Sequence, residues 1–295
     1  MALTGAAAVE KLITGTRPGR ALAERFVAGD GLSDAVEVAR SLNSDGFLVS
    51  LDLLGEEVHD RNSALAATEE YLECLDRIGL EGLEANISVK PTQLGLAIDE
   101  SLATAAISRL GERASVVGTT VTLDMEDSRY TEATVRLFEK GQASHGNLGV
   151  ALQSCMRRTP SDLERTIPLG GHIRLCKGAY LEPPEIALTS NADVDRAFAE
   201  QLHILMRASS TKPAIATHDD DLIELARSLA TGREQPFEFQ MLYGVRTELQ
   251  KQLISAGYPL RIYLPFGSQW YPYLTRRLAE RPANAMFFAR AVFGK

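Results

Sequence analysis

The sequence predicts a (β/α)8 barrel of the TIM type, an α/β fold, preceded by an N-terminal helical extension. Eight short apolar runs alternate with segments of helical periodicity after residue 43. Near-continuous apolar strands are typical of a parallel sheet that is buried on both faces. The sequence has no G-x-G-x-x-G after the first strand and no G-x-x-x-x-G-K-[S/T] motif. A closed barrel is therefore favoured over an open, doubly wound sheet.

The elements follow in order along the chain. Residues 1–43 are rich in Ala and Leu, which predicts a helical extension. Ser33 is the expected N-cap of the last helix in this extension. Residues 44–295 are predicted to form the barrel, within a single domain overall. The predicted strands are Phe47–Leu53, Glu84–Val89, Val117–Leu123, Leu148–Leu152, His172–Cys176, Ala214–Ala216, Phe237–Leu242 and Arg261–Leu264. Helical periodicity is clear between them, for example in Ser63–Ile78, Thr131–Lys140 and Asp195–Ser209. A further helix is expected to start around Pro272, after the last strand.

Composition limits the function classes. A chain of 295 residues with 45% hydrophobic content can bury a large core. A net charge of −8 and the lack of any Lys/Arg run argue against a nucleic-acid partner. Three widely spaced cysteines and no evident secretory signal fit a cytoplasmic protein. The longest uncharged apolar stretches reach about half of the ~20 residues that a membrane span needs, which leaves peripheral membrane contact open.

Metal and hydrolytic chemistry have little support in the sequence. The five histidines form no H-x-x-x-H or H-x-H pair, so no metal site is predicted. There is no G-x-S-x-G elbow for a serine nucleophile. Cys155 and Cys176 lie in apolar strand-like runs, where buried thiols are usually inert. No hydrolytic triad is expected.

Polar side chains stand where the predicted strands end. In barrels of this class the active site is built at the carboxyl ends of the strands. In chain order these ends supply Asp52, Lys90, Asp124, Glu126, Gln153, Arg174, Lys177, His218, Gln240 and Tyr263. Together they predict a cationic mouth, rich in hydrogen-bonding groups, that suits an anionic or phosphate-bearing ligand.

Two strand ends carry the stronger signals. In the run from Arg174 to Tyr180, two cations three residues apart are followed by Gly-Ala, where a ligand could approach the backbone. A buried cation needs a partner, which is either such a ligand or an internal salt bridge to Asp124 or Glu126. The strand end at Thr217-His218-Asp219 is similar, although a histidine there is equally consistent with a purely structural role.

The helix after the last strand has a face suited to a small carboxylate. Tyr273, Arg276, Arg277 and Glu280 recur three or four residues apart and so share one face. Arginine is a planar fork that grips a carboxylate with two hydrogen bonds. The alternative is a solvated helix face with an internal Arg–Glu pair.

These motifs identify a resemblance. The chain resembles the monofunctional bacterial proline dehydrogenase family nearly from end to end, from Asp52-Leu-Leu-Gly-Glu56 to the final helix. The most specific stretches are Arg174-Leu-Cys-Lys177-Gly-Ala-Tyr180-Leu-Glu182 and Tyr273-Leu-Thr-Arg276-Arg277-Leu-Ala-Glu280-Arg-Pro. The resemblance implies oxidation of L-proline to Δ1-pyrroline-5-carboxylate, the first step of proline catabolism, by hydride transfer to the N5 atom of FAD. It also implies that the electrons pass to a membrane quinone.

The resemblance also implies residue roles. Asp124, near the substrate amine, and Arg174, near flavin N5, would be the catalytic residues. Substrate-binding roles, on the proline carboxylate or over its ring, are implied for Lys90, Tyr263, Tyr273, Arg276 and Arg277. Cofactor contacts are implied for Met125, Gln153, Arg174, Lys177, Gly178, Ala179, Thr189, Thr217 and His218.

The implied partners are L-proline and the quinone, with no nucleic acid. Peripheral association with the inner face of the cytoplasmic membrane is implied with the quinone, and a homo-oligomer stays open. Two alternatives compete with this function. One is another flavin barrel of the folate-reductase kind, which would need NAD(P)H and would have no use for the Arg276-Arg277 pair. The other is a catalytically silent barrel that binds an amino acid or flavin, for which the motifs offer no support.

Overall fold

The computed structural model describes residues 23–55 and 58–279, with side chains described as far as residue 275. Its parallel strands close into a barrel in sequence order, and the first strand pairs with the last. The strands are β1 Leu48–Leu53, β2 Ala85–Val89, β3 Val121–Leu123, β4 Leu148–Gln153, β5 His172–Cys176, β6 Lys212–Ala216, β7 Glu238–Leu242 and β8 Leu260–Phe266. The predicted (β/α)8 barrel is confirmed.

The α-helices of the described residues pack around this barrel. They are α1 Leu32–Ser44, α2 Arg61–Glu81, α3 Glu100–Val117, α4 Ser128–His145, α5 Thr159–Thr166, α6 Asn191–Arg207, α7 Asp220–Ala230, α8 Thr247–Ser255 and α9 Trp270–Ala279, with a 3-10 turn at Ile167–Leu169. Helices α2, α3 and α4 each begin at an aspartate whose carboxylate accepts backbone N–H bonds, and each ends at a glycine in the left-handed region. These caps satisfy backbone groups that a helix end leaves unpaired.

The core is layered. Between barrel and helices lie fully buried apolar side chains, including those of Tyr71, Phe138, Phe198 and Phe239. The interior of the barrel is polar instead: the Arg174 guanidinium on β5 reaches across to Ser88 on β2, and Arg261 on β8 reaches Asn86 on β2. Strands that are not neighbours can meet in this way only through the interior. Side chains alternate between the two faces of a strand, so each strand serves both environments.

Some predicted boundaries are wrong. Helix α1 is preceded by Gly31, not capped by Ser33, and the Gly31 N–H donates to Asp34 at 3.1 Å. Val117 is the last residue of α3, so β3 is shorter than predicted, because Gly118 at φ 79° turns the chain between them. The start of α9 at Trp270 agrees with the helix predicted to begin around Pro272, since proline is tolerated in a first helical turn. Cys155 lies beyond the end of β4.

The described part of the N-terminal extension contacts the barrel near its last strand. The Ala28 N–H donates to the Pro265 carbonyl at 2.9 Å, and Gly267 donates to the Gly29 carbonyl at 2.9 Å. Phe26 belongs to a buried apolar cluster with Trp270 of α9. Residues 1–22 lie outside the described residues, so the helical prediction for that segment stays a prediction. Across the part of the chain described here, no helix combines the length and apolar composition needed to cross a bilayer.

Candidate active site at the barrel mouth

Five side chains, which lie in or directly after five different strands, form the group called here the mouth cluster. It consists of two hydrogen-bonded sets, and the charges of Lys90 and Asp124 attract each other between them. Its members are Asp52, Lys90, Asp124, Arg174 and Tyr263. All five were expected at the mouth from the sequence, because the ends of parallel barrel strands converge on one rim. The structure brings them together as two ion pairs and a tyrosine.

Asp124 is the centre of the mouth cluster. One carboxylate oxygen accepts from the Arg174 guanidinium, and the other accepts from the Tyr263 hydroxyl at 2.7 Å. Burial raises the pKa of Asp124, against the opposing effects of Arg174 and Lys90. Since both oxygens act as acceptors, the geometry fits the carboxylate form, held in an environment that favours taking up a proton.

Arg174 is held on several sides. Its Nε donates to the Gln240 side-chain oxygen, one terminal nitrogen donates to Asp124, and the other donates to Ser88 Oγ at 2.9 Å. The guanidinium carbon lies 5.2 Å from the centroid of the Tyr263 ring. Three of the five N–H groups of an arginine are used by these described residues, which leaves two for a ligand. The internal salt bridge to Asp124, one of the two alternatives from the sequence, is therefore present. It does not use all of the N–H groups of the guanidinium.

Lys90 forms the second ion pair of the cluster. Its Nζ lies 2.6 Å from Asp52 Oδ1, and the Asp52 side chain is only 1% exposed. Burial lowers the pKa of Lys90, but Asp52 and Asp124 outweigh it and the pKa is raised overall. The ammonium is thus charged at neutral pH and lies where a ligand carboxylate could share it.

Glu126 and Gln153 shape the adjoining rim. Glu126 accepts from the Thr92 backbone N–H at 3.0 Å and from the Thr92 hydroxyl, and these bonds tie it to the loop after β2. Burial raises the pKa of Glu126 despite these bonds. The Gln153 amide donates to the Glu126 carbonyl at 2.9 Å and accepts from Ala179 N at 3.3 Å. Met125, between Asp124 and Glu126 in sequence, is buried.

Gly178 is a position that needs glycine. Its φ of 117° lies in the region that side chains rarely adopt, and a Cβ there would stand 2.4 Å from Cys155 Sγ. Gly178 and Ala179 are exposed at the rim, so their backbone is open to a ligand. The neighbouring thiols fit the expectation of inertness: burial raises the pKa of Cys155, and raises that of Cys176 to about 12.

Lys177 has partners other than those the sequence suggested. Its Nζ lies 2.5 Å from Asp195 and 2.8 Å from Asp219. Burial lowers the pKa of Lys177, but its hydrogen bonds to these two carboxylates raise it overall. Asp219 also caps α7 by accepting from Asp221 N and Leu222 N. The ammonium is therefore fixed over the loop between β6 and α7, where a phosphate would have to share it with two carboxylates.

His218 is oriented from both sides. Its Nε2 accepts from the Leu242 N–H at 3.1 Å, and its carbonyl accepts from Arg246 at 2.6 Å. A neutral His218 in this arrangement carries its proton on Nδ1. Next to it, Thr217 Oγ1 accepts from the Asp219 N–H at 3.1 Å. Arg246 was missed by the sequence analysis, because its unusual backbone, φ 54° at a non-glycine residue, has no local sequence signal.

The remaining predicted residues lie in the loop before α6 and in α9. Thr189 is exposed in the loop before α6. Tyr273 is buried in α9, packed in an apolar cluster with Phe26, Leu54 and Trp270. Arg276 and Arg277 fall within the last turns of α9, but their side chains lie outside the described residues. Among the described residues, no group of three or more His, Cys, Asp or Glu side chains is arranged to hold a metal ion.

Ser88 and Ser50 were also missed. Ser88 accepts from Arg174, and its hydroxyl lies 2.8 Å from that of Ser50. The signal for them was present in the sequence: Ser50 precedes Asp52 by two residues, and Ser88 precedes Lys90 by two. Residues at this spacing share one face of a strand.

Comparison with known proteins agrees with this geometry. The family model for proline dehydrogenase matches residues 35–290. Proline dehydrogenase 1 of Bacillus subtilis strain 168 is 36% identical over 284 residues, which cover 95% of this chain and 93% of that protein. Proline dehydrogenase of Deinococcus radiodurans is 34% identical over 279 residues, covering 92% of this chain and 90% of that protein. Among solved structures, proline utilization A from Bdellovibrio bacteriovorus superposes with a TM-score of 0.83 at 21% identity. That superposition covers 89% of this chain and 33% of that chain, and it supports the fold.

Proposed function

Because the chain belongs to the proline dehydrogenase family, and is thus an oxidoreductase that acts on proline, we propose that it oxidises L-proline to Δ1-pyrroline-5-carboxylate with FAD as its cofactor. When bound, FAD would supply the hydride acceptor, its N5 atom, with a membrane quinone as the final electron acceptor. The observation that carries the proposal is the buried Arg174 at the barrel mouth. Its guanidinium is fixed by hydrogen bonds to Asp124, Gln240 and Ser88, and these bonds leave two of its N–H groups for a ligand.

The rim between β4 and β6 supports a flavin. Arg174 offers fixed positive charge and N–H donors to an electron-rich ring, which favours the reduced form. Gln153, whose amide is fixed by the Glu126 carbonyl and Ala179 N, and Met125 would line the ring edge. Lys177, the exposed backbone of Gly178 and Ala179, Thr217 and His218 would follow the ribityl and pyrophosphate portion, with Thr189 beyond. The donor set is cationic and rich in N–H groups, as a dinucleotide requires.

The opposite part of the mouth supports an amino-acid substrate. Lys90 carries a positive charge beside Asp124, and Tyr263 is fixed by its bond to that carboxylate. We propose that Arg276 and Arg277 hold the proline carboxylate with the help of Lys90. These two positions follow Tyr273 by three and four residues, so they share its face of α9. Tyr263 and Tyr273 would then pack over the ring.

The roles of the protein groups in the reaction are positioning and charge. Anchoring the carboxylate fixes which ring carbon faces the cofactor, an effect that can contribute several kcal/mol. Asp124 would lie near the substrate amine, and it holds Tyr263 and Arg174 in place through its hydrogen bonds. A neutral amine is the better hydride donor, so turnover should rise with pH until the nitrogen is deprotonated.

An anaerobic absorption spectrum tests the proposal. Purified protein should show a flavin band that bleaches with L-proline and not with NADH, and the band should return when a soluble quinone analogue is added. Bleaching by NADH alone would favour a flavin barrel of the reductase kind. A protein that binds no flavin after reconstitution with FAD would overturn the cofactor assignment. We also propose that the protein is cytoplasmic and associates peripherally with the membrane, and sedimentation with lipid vesicles tests that association.

Two lysines of the barrel mouth, Lys90 and Lys177, allow the substrate and cofactor assignments to be tested separately. Lys90→Met should raise the KM for proline by about tenfold or more, the usual effect of losing a hydrogen bond to a charged group, and should leave bound FAD intact. Lys177→Met should instead weaken FAD binding, measured by flavin fluorescence titration, with little effect on the KM of the reconstituted protein. Equal effects of both variants on the KM for proline and on FAD binding would contradict the assignment of one part of the mouth to proline and the other to FAD.

A further inference from the structure

The interior of the barrel contains a second charged group below the mouth, called here the base cluster. It consists of His172, Lys212, Glu238 and Arg261, all at the amino ends of strands. Glu238 accepts from Arg261 Nε at 2.6 Å and from Lys212 Nζ at 2.7 Å. Burial raises the pKa of Glu238, but Arg261 and Lys212 together hold it well below the ordinary range. Glu238 is therefore a permanently charged acceptor with a side chain only 2% exposed.

One residue joins the base cluster to the mouth cluster. Gln240 follows Glu238 by two residues on β7, so both point into the barrel. Its Nε2 donates to Glu238 Oε1 at 2.7 Å, and its Oε1 accepts from Arg174 Nε. An unbroken chain of hydrogen bonds thus runs along the barrel interior, from Arg261 through Glu238, Gln240 and Arg174 to Asp124.

The direction of the Gln240 amide follows from its neighbours. A carboxylate only accepts hydrogen bonds and a guanidinium only donates them. With Glu238 on one side and Arg174 on the other, only one orientation of the amide satisfies both. The reversed amide would set oxygen against oxygen and N–H against N–H, leaving buried groups unpaired.

We propose that Glu238 is a positioning residue for the oxidation reaction: through Gln240 it fixes Arg174 in the place from which Arg174 acts on the flavin. This inference rests on the proposed function, because it assumes that Arg174 faces the cofactor. Glu238 itself lies at the opposite end of β7 from the mouth and acts only through Gln240. A carboxylate at the base of the barrel thereby sets the geometry of a guanidinium at the mouth.

The test is Glu238→Gln in the flavin-loaded protein. A neutral amide at 238 can donate or accept, so it no longer imposes one orientation on Gln240. We expect kcat to fall by about tenfold, the order of one lost hydrogen bond to a charged group, with the KM for proline changed less than twofold. We also expect a more negative flavin reduction potential, because Arg174 no longer favours the reduced form to the same extent.

Lys212→Gln is the matched control. It removes a cation from Glu238 at the half-exposed edge of the base cluster and leaves the bond between Glu238 and Gln240 in place. This variant should keep the kcat and the reduction potential of the wild type, even if its thermal stability falls as much as that of Glu238→Gln. Equal changes in kcat and potential in both variants would mean that the base cluster acts on stability alone, and would overturn the inference.

Gln240→Met keeps the proposal testable if Glu238→Gln folds poorly. It removes the connecting residue, and its effect on kcat should not add to that of Glu238→Gln in the double variant. Additive effects would overturn the inference. Crystal structures of wild type and Glu238→Gln provide a readout independent of turnover: Arg174 should be displaced from Gln240 in the variant. An unmoved Arg174 would overturn the inference, whereas a wild type that ignores proline would overturn the proposed function instead.

Discussion

The two ends of the barrel interior carry their charges differently. In the base cluster, one carboxylate lies between two cations, and the adjacent His172 is neutral because burial lowers its pKa to about 3. In the mouth cluster, two carboxylates face two cations. There burial raises the pKa of Asp124, and the nearby Asp52 adds to the increase. The base is thus confined to one ionisation state, whereas the mouth holds a carboxyl that is moved towards the range in which it can titrate.

The same strands thus contribute residues to two ends with different roles: the base supports the structure, and the mouth supports the reaction. β5 contributes His172 to the base and Arg174 to the mouth, and β7 contributes Glu238 and Gln240. Barrel interiors are commonly filled by branched apolar residues. Here polar residues fill it, so each buried group must find a partner inside the barrel. Groups with shifted pKa values cluster at functional sites, and the direction of the shift distinguishes the two ends.

Replacing Asp124 should have the largest effect. Asp124→Asn keeps the shape of the side chain but removes its negative charge. The carboxylate that is lost pairs with Arg174 and accepts a hydrogen bond from the Tyr263 hydroxyl. We expect proline turnover to fall by about 10²-fold, the order seen when a preorganised electrostatic group is lost. Unfolding in urea should show a loss of about 3 kcal/mol, because one partner of a buried ion pair is left alone.

Asp127→Asn is the control for this variant. Asp127 is three residues away and caps α4 by accepting from Arg129 N, and asparagine caps helices about as well as aspartate. It should retain turnover and stability. If Asp124→Asn behaved like Asp127→Asn, the mouth cluster would have no part in the reaction.

His172→Gln tests the base cluster through the pH dependence of stability. The folded pKa of His172 is about 3 against an unfolded value of 6.5, so between these values only the unfolded chain takes up the proton. Its contribution to stability is complete above pH 6.5 and is lost as pH falls, by about 1.4 kcal/mol per unit. The variant should therefore show a correspondingly shallower slope of unfolding free energy between pH 6.5 and 5.

Thr122→Val is the comparison for this measurement. It removes the hydroxyl 2.6 Å from His172 Nε2 and keeps the titrating ring. The slope should persist in this variant even though its stability is lower. Identical slopes in wild type and His172→Gln would show that His172 takes up no proton on unfolding in this range. That result would contradict the description of the base cluster as held in one ionisation state with a neutral His172.

The sequence predicts the mouth far better than the base. Asp124 directly follows an apolar run, and Arg174 and Tyr263 are polar residues within two others, so the barrel geometry brings them together whatever their separation in the chain. Glu238 and Arg261 stand where strands begin, and there a polar residue resembles an ordinary strand boundary. Their pairing connects positions 23 residues apart and depends on strand register, which the pattern does not specify.

Local conformations mark the other limit of prediction. The apolar run from Val117 to Leu123 is continuous in sequence, and it divides into helix and strand because Gly118 adopts a left-handed conformation. The partners of Lys177 were missed for a related reason: Asp195 and Asp219 come from the start of α6 and the cap of α7. Charge alone could not rank them above the other candidates, Asp124 and Glu126.

The smallest effect is expected at the surface, where distance alone would suggest a strong interaction. Arg109 lies 2.8 Å from Glu69, close to the 2.6 Å of Lys90 and Asp52, but these two side chains are 45% and 62% exposed. Water and salt screen such a pair, and holding two long side chains costs conformational entropy. Arg109→Ala should therefore change the unfolding free energy by less than about 1 kcal/mol and leave turnover unchanged. A loss as large as that of Asp124→Asn would mean that burial does not decide the strength of these ion pairs.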